Sequence, residues 1–571
     1  MREASLQSGR ETPDLPEAVR QPGSAGASPY LAGALQHPGS PGTDSPYLAE
    51  EPRVFNRWLV AVVLSIATFM EVLDTSIANV SLRHIAGSLS ASLDESTWVL
   101  TSYLVANAVI LPISGWLATT IGRKRFYMIC VALFSASSLL CGLAPSLGWL
   151  VFFRVLQGLG GGGLAPSEQS MLADSFPVEK QGQVFALYGV AVVVAPAIGP
   201  TLGGWITDNF NWHWIFLINV PVGIMSLFLT WSIVPKYLGS EKVAGHAGRK
   251  SFRIDYVGFA LVAIGLGFLQ LVLDKGERED WFSSNLIVVG SAISAVALVL
   301  LVFWEFGRED PIVDLPLLRD KSFLASNAVM FVVGFILYTS TQLLPQMVQT
   351  QLGYNATLAG LVLTPGGFAT MATMPLVGFL VGRVQPRNLV AFGLMVEAAA
   401  LYYMTHFDAQ ISYNTVLAAR LTQAAGLGFL FVPINSAAFI GLAPGKRNNG
   451  SALINLSRNM GGSFGISLAQ TWLSRRSQFH QLRLVEHTSA YDPAYQHSLQ
   501  HLGTLFREGG VSADHAVHRA LGIFYHNLQQ QAEMLAFIDI FWLLSLVAMI
   551  SVGFTFIMRK RQGKAAPVAM H

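Results

Sequence analysis

Ionisable side chains are scarce inside the long apolar runs of this 571-residue chain, so the few that occur there are the first place to look for chemistry. They are chiefly Glu71, Asp74, Arg154, Glu397, Arg420 and Arg458, with Glu168 nearer the end of a run. An ionised group at a bilayer centre costs on the order of 2.5–3.5 kcal/mol by insertion scales, so it persists where it has a partner or a water path. Glu71 and Asp74 are three residues apart and share one face of a helix. At about 1.5 Å per residue, Asp74 lies about 9 Å and Arg154 about 8 Å below the same boundary, so the two can meet. Burial favours the neutral form of an acid, and an adjacent guanidinium favours the charged form. A carboxyl held between these influences gains or loses a proton on a small change of geometry, which is the requirement for coupling to a proton gradient. Asp74 is read as the principal proton carrier, with a static salt bridge to Arg154 as the other reading. Glu71 is a second carboxylate for cationic cargo or a relay, or else a packed acid.

Other polar and soft side chains in the runs are candidate walls of a cargo cavity. Phe69, Met70, Tyr103 and Asn107 face Tyr338, Gln342 and Asn435, with Gln157, Glu397, Arg420 and Arg458 as further candidates. Met and aromatic surface adapts to many shapes, which suits a broad cargo range.

The elements that must hold these residues are membrane helices. Hydrophobic residues make up 52% of the chain and charged ones 12%, half the charge of an ordinary soluble protein. Lipid leaves no partner for an exposed strand, so runs of this length are helices. Fourteen spans are expected, including about 58–80 (one), 149–171 (four), 184–205 (five), 389–406 (eleven), 415–440 (twelve), 450–473 (thirteen) and 535–558 (fourteen). With both termini cytoplasmic, 25 of the 36 Lys and Arg fall on the cytoplasmic side, the positive-inside pattern.

The chain also repeats itself. Gly115-Trp116-Leu117 followed by Arg123-Lys124 is echoed by Gly378-Phe379-Leu380 followed by Arg387, and Arg154 with Gln157 is echoed by Arg420 with Gln423. The expected organisation is a disordered cytoplasmic tail over 1–52, an N-terminal six-helix half over 53–234, a linker with two extra spans over 235–310, and a C-terminal six-helix half over 311–571. That second half includes a large periplasmic loop at about 474–534. The tail is rich in Pro, Gly and Ser, carries the repeated Ser28-Pro29-Tyr30-Leu31-Ala32 and Ser45-Pro46-Tyr47-Leu48-Ala49, and shows no apolar core of a signal peptide.

Several local motifs are more specific. Leu73-Asp74-Thr75-Ser76-Ile77-Ala78-Asn79-Val80, Arg154-Val155-Leu156-Gln157-Gly158 and the run from Ala195 to Gly204 resemble the LDxTIxNVA, RxxQG and antiporter motifs of the fourteen-span drug:proton antiporters of the EmrB/QacA type, within the major facilitator superfamily. Leu273-Asp274-Lys275-Gly276, Trp281-Phe282-Ser283-Ser284 and Leu344-Pro345-Gln346 are similar to the EmrB group in particular. The resemblance covers about 55–558 and implies an all-α major facilitator fold of two six-helix halves plus two inserted spans. It further implies export of hydrophobic toxic compounds driven by protons across a bacterial inner membrane, without enzymatic activity. An EmrA-like periplasmic membrane-fusion adaptor and a TolC-like outer-membrane channel are the implied partners, with the 474–534 segment as a candidate contact.

In the span-five motif, Pro196, Gly199, Pro200, Gly203 and Gly204 have a mechanical reading: glycine permits close helix approach and proline bends the helix. The loop after span two, with Gly115, Gly122, Arg123 and Lys124, resembles the GxLADRxGRK gating motif, but Thr119 and Thr120 stand at its Asp and Arg positions. A latch made by that Asp is therefore absent.

Other chemistries lack support. Gly158, Gly160 and Gly163 match a dinucleotide-binding spacing but follow no strand, and Lys446 is followed by Arg447 rather than the Ser or Thr of a phosphate loop. Cys130 and Cys141 fall about 16 Å apart along one helix and cannot pair. His497 with His501 and His515 with His518 have helical spacings but no completing ligand, so no metal, cofactor or nucleic acid is expected and the proton is the coupling ion. The rival readings are a dedicated exporter of one metabolite, such as a siderophore or a self-made antibiotic, and a non-transporting membrane receptor or scaffold.

Overall fold

The computed structural model describes residues 56–235 and 255–559, apart from 307, 309, 310, 441, 487, 489 and 490. The tail over 1–52 with its repeat, and the basic residues Lys236, Arg249, Lys250, Arg253, Lys560 and Arg561, lie outside the described residues.

Helices stand at all fourteen expected places. Spans one to six are Arg57–Val80, Trp98–Ile121, Arg123–Gly142, Leu147–Gly161 continued by Leu164–Ser175, Val178–Asn209, and Trp214–Leu217 continued by Asn219–Ile233. The inserted pair, seven and eight, is Tyr256–Lys275 and Asn285–Glu305. Spans nine to fourteen are Lys321–Leu352, Ala356–Leu380, Pro386–Met404, Tyr413–Phe439, Arg447–Val485 and Ala513–Thr555. Twelve of these are long and apolar enough to cross a bilayer by themselves. Spans eleven and thirteen fall short because they carry Arg387, Asn388 and Glu397, or Asn448, Ser451, Asn455 and Arg458, of which Glu397, Asn448, Ser451, Asn455 and Arg458 are buried against protein rather than lipid.

The packing order shows the internal repeat. Span one packs on five and six, two on four, and three on four and six. The same pairings recur eight spans later: nine on thirteen and fourteen, ten on twelve, and eleven on twelve and fourteen. The bundles meet along five against ten and two against thirteen, two contacts that the same repeat exchanges. Spans seven and eight pack on each other, and seven lies across the seam. Its Lys275 Nζ donates to Thr97 Oγ1 at 2.7 Å, its Asp274 accepts from Thr101, and its Gln270 Oε1 accepts from Ser463 Oγ of span thirteen at 2.8 Å. Trp281 Nε1, in the following turn, donates to Thr471 Oγ1 at 2.9 Å.

Two expectations need correcting. The segment expected as a loop at about 474–534 is mostly helical: span thirteen runs on to Val485, a separate helix covers Pro493–Glu508, and span fourteen starts at Ala513. Asp539 ties the extension down, accepting from Arg476 Nε at 2.6 Å and lying 2.8 Å from His480 Nε2. Polar amphipathic helices leave no apolar run, which is why hydropathy misses them. Span four is also not continuous, because Gly162 and Gly163 form a turn between its two helices. A Cβ at Gly162 would overlap Ile110 and the Asn107 carbonyl, and one at Gly163 would overlap Cys130 and Phe126, so only glycine lets spans two and three close on the break.

Candidate functional site

The expected pair forms. Arg154 Nη1 lies 2.5 Å from Asp74 Oδ2, and both side chains are wholly excluded from solvent. Two more donors complete the acid: Gln157 Nε2 at 3.0 Å and Asn219 Nδ2 at 2.7 Å, both to Oδ1. Every contact to Asp74 is a donor, a setting made for the carboxylate. Ser138 Oγ accepts from both amides, at 3.2 and 3.0 Å, so spans one, three, four and six meet at this point. Arg154 is fixed by Nε to the Val99 carbonyl at 3.0 Å and by its position 4.3 Å from the centre of the Tyr103 ring. Of these two added partners, Asn219 has the sequence signal of an amide within an apolar run and Ser138 has none.

Glu71 stands one turn below on the same helix, as the spacing requires. Its Oε1 accepts from Tyr103 at 3.0 Å and Asn107 at 3.3 Å. Asn107 also accepts from Asn459 Nδ2 of span thirteen at 3.3 Å. Arg458, the preceding residue, donates to the Tyr188 hydroxyl of span five at 3.2 Å. Glu71, Tyr103, Asn107 and Arg458 thus belong to one polar belt at mid-depth, crossing the seam between the halves. Met70 packs against Tyr103 and Phe134 at its edge, and Phe69 lies half-buried in the neighbouring apolar cluster of span one. Tyr338 approaches the belt on the C-terminal side, its ring against the position a Gly462 Cβ would take.

Of the other candidates, Gln342 follows Tyr338 by one helical turn and is exposed. Asn435 donates to its own helix, to the Phe431 carbonyl at 2.8 Å. Glu397 and Arg420 are buried within the C-terminal half, away from the belt.

The span-five motif lies between spans one and ten. Pro200 has no N–H, which frees the Pro196 carbonyl four residues back, and Ser76 Oγ donates to it at 3.3 Å. A Cβ at Gly199 would overlap Ser76, and one at Gly203 would press on Ile77. On the opposite face, Thr201 and Thr364 hydroxyls are 3.2 Å apart and Thr364 donates to the Ala197 carbonyl at 3.0 Å. Gly204 departs from the expectation, since nothing lies within 4 Å of its missing Cβ.

The ends of spans three, four and thirteen on one side of the bundle carry a cross-seam ion-pair network, though not from the positions of the loop motif. Thr119 and Thr120 donate to the Trp116 carbonyl of their own helix, both at 2.8 Å. Asp174, at the end of span four, is paired instead with Arg123 and with Arg447 of span thirteen. Gln169 Oε1 accepts from Ser451 and Asn455, each at 2.8 Å, in the same layer. Lys124 donates to the Val234 carbonyl at 2.5 Å, Gly122 turns with φ of 97°, and Gly115 admits Asn449 so closely that a Cβ would overlap it. Asp174 and Arg447 sit at helix ends and Gln169 in mid-helix, where sequence alone gives no sign of a cross-seam partner.

Two repeated bundles, a seam between them, and a buried ion pair inside the first bundle define a polytopic membrane transporter. The chain belongs to the major facilitator superfamily: residues 64–466 match that family. It is 38% identical to the "Multidrug export protein EmrB" of Haemophilus influenzae over 78% of this chain and 86% of that one. It is 37% identical to the "Fatty acid resistance protein FarB" of Neisseria gonorrhoeae over 84% and 92%. A double-tryptophan variant of XylE shares the fold, with a TM-score of 0.59 at 13% identity, covering 89% of this chain and 97% of that one.

Proposed function

We propose that the chain is a proton-coupled antiporter that exports hydrophobic, drug-like compounds across the bacterial inner membrane by alternating access, both termini being cytoplasmic. The observation that carries this reading is the solvent-free Asp74–Arg154 pair, donor-saturated and set where spans one, three, four and six join. With the cytoplasmic side latched through Asp174, the state described is one waiting for a proton from outside. Protonation of Asp74 removes the charge that holds Arg154, Gln157 and Asn219, and it loosens the point where spans one, three, four and six join. Span one then shifts against the Gly199–Gly203 face, the latch opens, and the proton leaves inward as cargo binds. The Glu71–Tyr103–Asn107–Arg458 belt, backed by Met70 and Tyr338, is the cargo surface. Relatives named for multidrug export and fatty acid resistance support a hydrophobic cargo.

The helical extension over 474–534 is the surface offered to a periplasmic adaptor, and through it to an outer-membrane channel. Dye efflux from vesicles under an imposed pH gradient tests the pump itself: wild type exports in proportion to the gradient, and Asp74→Asn shows no dependence on it. Full gradient dependence in Asp74→Asn removes Asp74 as the proton carrier.

A further inference from the structure

Span twelve repeats span four at atomic detail. Arg154 Nη1 donates to Gln157 Oε1 at 2.8 Å, and Arg420 Nη1 donates to Gln423 Oε1 at 2.7 Å. In the N-terminal half the other amide atom, Gln157 Nε2, goes on to Asp74 of span one. In the C-terminal half the equivalent reach to span nine finds hydroxyls: Arg420 lies 3.5 Å from Ser340 Oγ and 3.2 Å from Thr341 Oγ1. Gln423 Nε2 and Arg420 Nε are buried and have no acceptor. The acid of this half stands on span eleven instead. Glu397 is wholly buried, faces Gln423 and Arg420, and neither of its oxygens has a hydrogen-bond partner.

A buried carboxylate with no donor is not tolerated at this depth, whereas a buried neutral carboxyl is. Gln423 Nε2 and Arg420 Nε, buried donors without an acceptor in hydrogen-bonding geometry, stand beside the Glu397 carboxyl. The charged group facing Glu397 is Arg420; from span fourteen, packed on the same helix, the nearest polar group is Ser545, whose Oγ donates to the Ala398 carbonyl at 2.8 Å.

We propose that Glu397 is a second proton-exchange site. It is neutral while Arg420 is held by Ser340 and Thr341, and it gives its proton to water when Arg420 and Gln423 turn to the carboxylate. Each cycle then carries two protons inward, one on Asp74 and one on Glu397, against one cargo molecule outward. This rests on the antiport reading and adds the second proton to it.

The test is a null-point measurement on purified full-length protein in liposomes, with voltage clamped at zero by potassium and valinomycin. N-phenylnaphthylamine, a neutral hydrophobic dye, is the probe, and flux in protein-free liposomes is subtracted. Per pH unit, one coupled proton balances about a tenfold dye gradient and two balance about a hundredfold, each tenfold being about 1.4 kcal/mol. Wild type is expected near a hundredfold, Glu397→Gln near tenfold, and Glu397→Asp back toward a hundredfold. Glu397→Met, which fills the space without a polar atom, replaces the glutamine variant where that does not fold. A wild-type null point near tenfold, or a hundredfold value retained by the neutral variants, overturns the second site while leaving antiport intact. A wild-type null point that ignores the pH gradient overturns the antiport reading as well.

Discussion

Asp174 Oδ1, at the end of span four, lies 2.5 Å from Arg447 Nη1, at the start of span thirteen, and this ion pair joins the two halves. Arg123 shares the same carboxylate, so the acid is a bridge between the loop after span two and the opposite bundle. The loop-motif positions Thr119 and Thr120 carry no acid, and Asp174 is an acid that reaches the seam.

Asp174→Asn removes the bridging charge and is expected to favour the inward-open state. A loss of about 1.4 kcal/mol of coupling raises that population roughly tenfold. The check is thiol labelling of Ser170→Cys, buried in the same layer, in a background without Cys130 and Cys141: labelling from the cytoplasmic side should quicken by about that factor. An unchanged rate shows that the pair does not govern closure.

Arg154→Ala leaves Asp74 buried without its cation, and breaking a buried pair in this way costs about 3–5 kcal/mol. Asp74→Asn combined with Arg154→Gln leaves no charge and should recover much of that loss. Thermal unfolding in detergent, followed by size-exclusion fluorescence, measures both; equal losses in the single and double variants contradict the coupling.

Gly199→Val and Gly203→Leu drive a side chain into span one and should each cost about 1–3 kcal/mol, as overpacking does. Gly204→Ala meets open space and should change the unfolding midpoint little. Equal effects at all three positions show that the motif acts through something other than contact with Ser76 and Ile77.

Deleting the helix Pro493–Glu508 separates pump from assembly. Dye transport by the purified protein in liposomes should persist, while resistance of whole cells to hydrophobic toxins falls at least tenfold. Retention of whole-cell resistance removes this segment as the adaptor contact.

Much of the site is legible in the sequence because membrane depth is a one-dimensional coordinate. Counting residues from a boundary suffices to bring Asp74 to Arg154, and the repeated Arg-x-x-Gln shows which helices correspond. What depth cannot give is azimuth, the direction a side chain takes around its helix. Asn219 and Ser138 reach the pair for reasons set by helix rotation alone. Cross-seam partners such as Asp174 and Arg447 depend on how two bundles dock, which no local pattern encodes. The extension beyond span thirteen escapes notice for another reason: its helices are polar and carry no apolar run to betray them.

The most direct measurement is uphill transport by reconstituted protein under an imposed pH difference, with voltage clamped, comparing wild type with Asp74→Asn. Wild type is expected to concentrate its cargo only while the gradient lasts, and the variant to do no more than equilibrate it. Accumulation by wild type with both pH difference and voltage collapsed, or by Asp74→Asn as fully as by wild type, contradicts proton exchange at position 74.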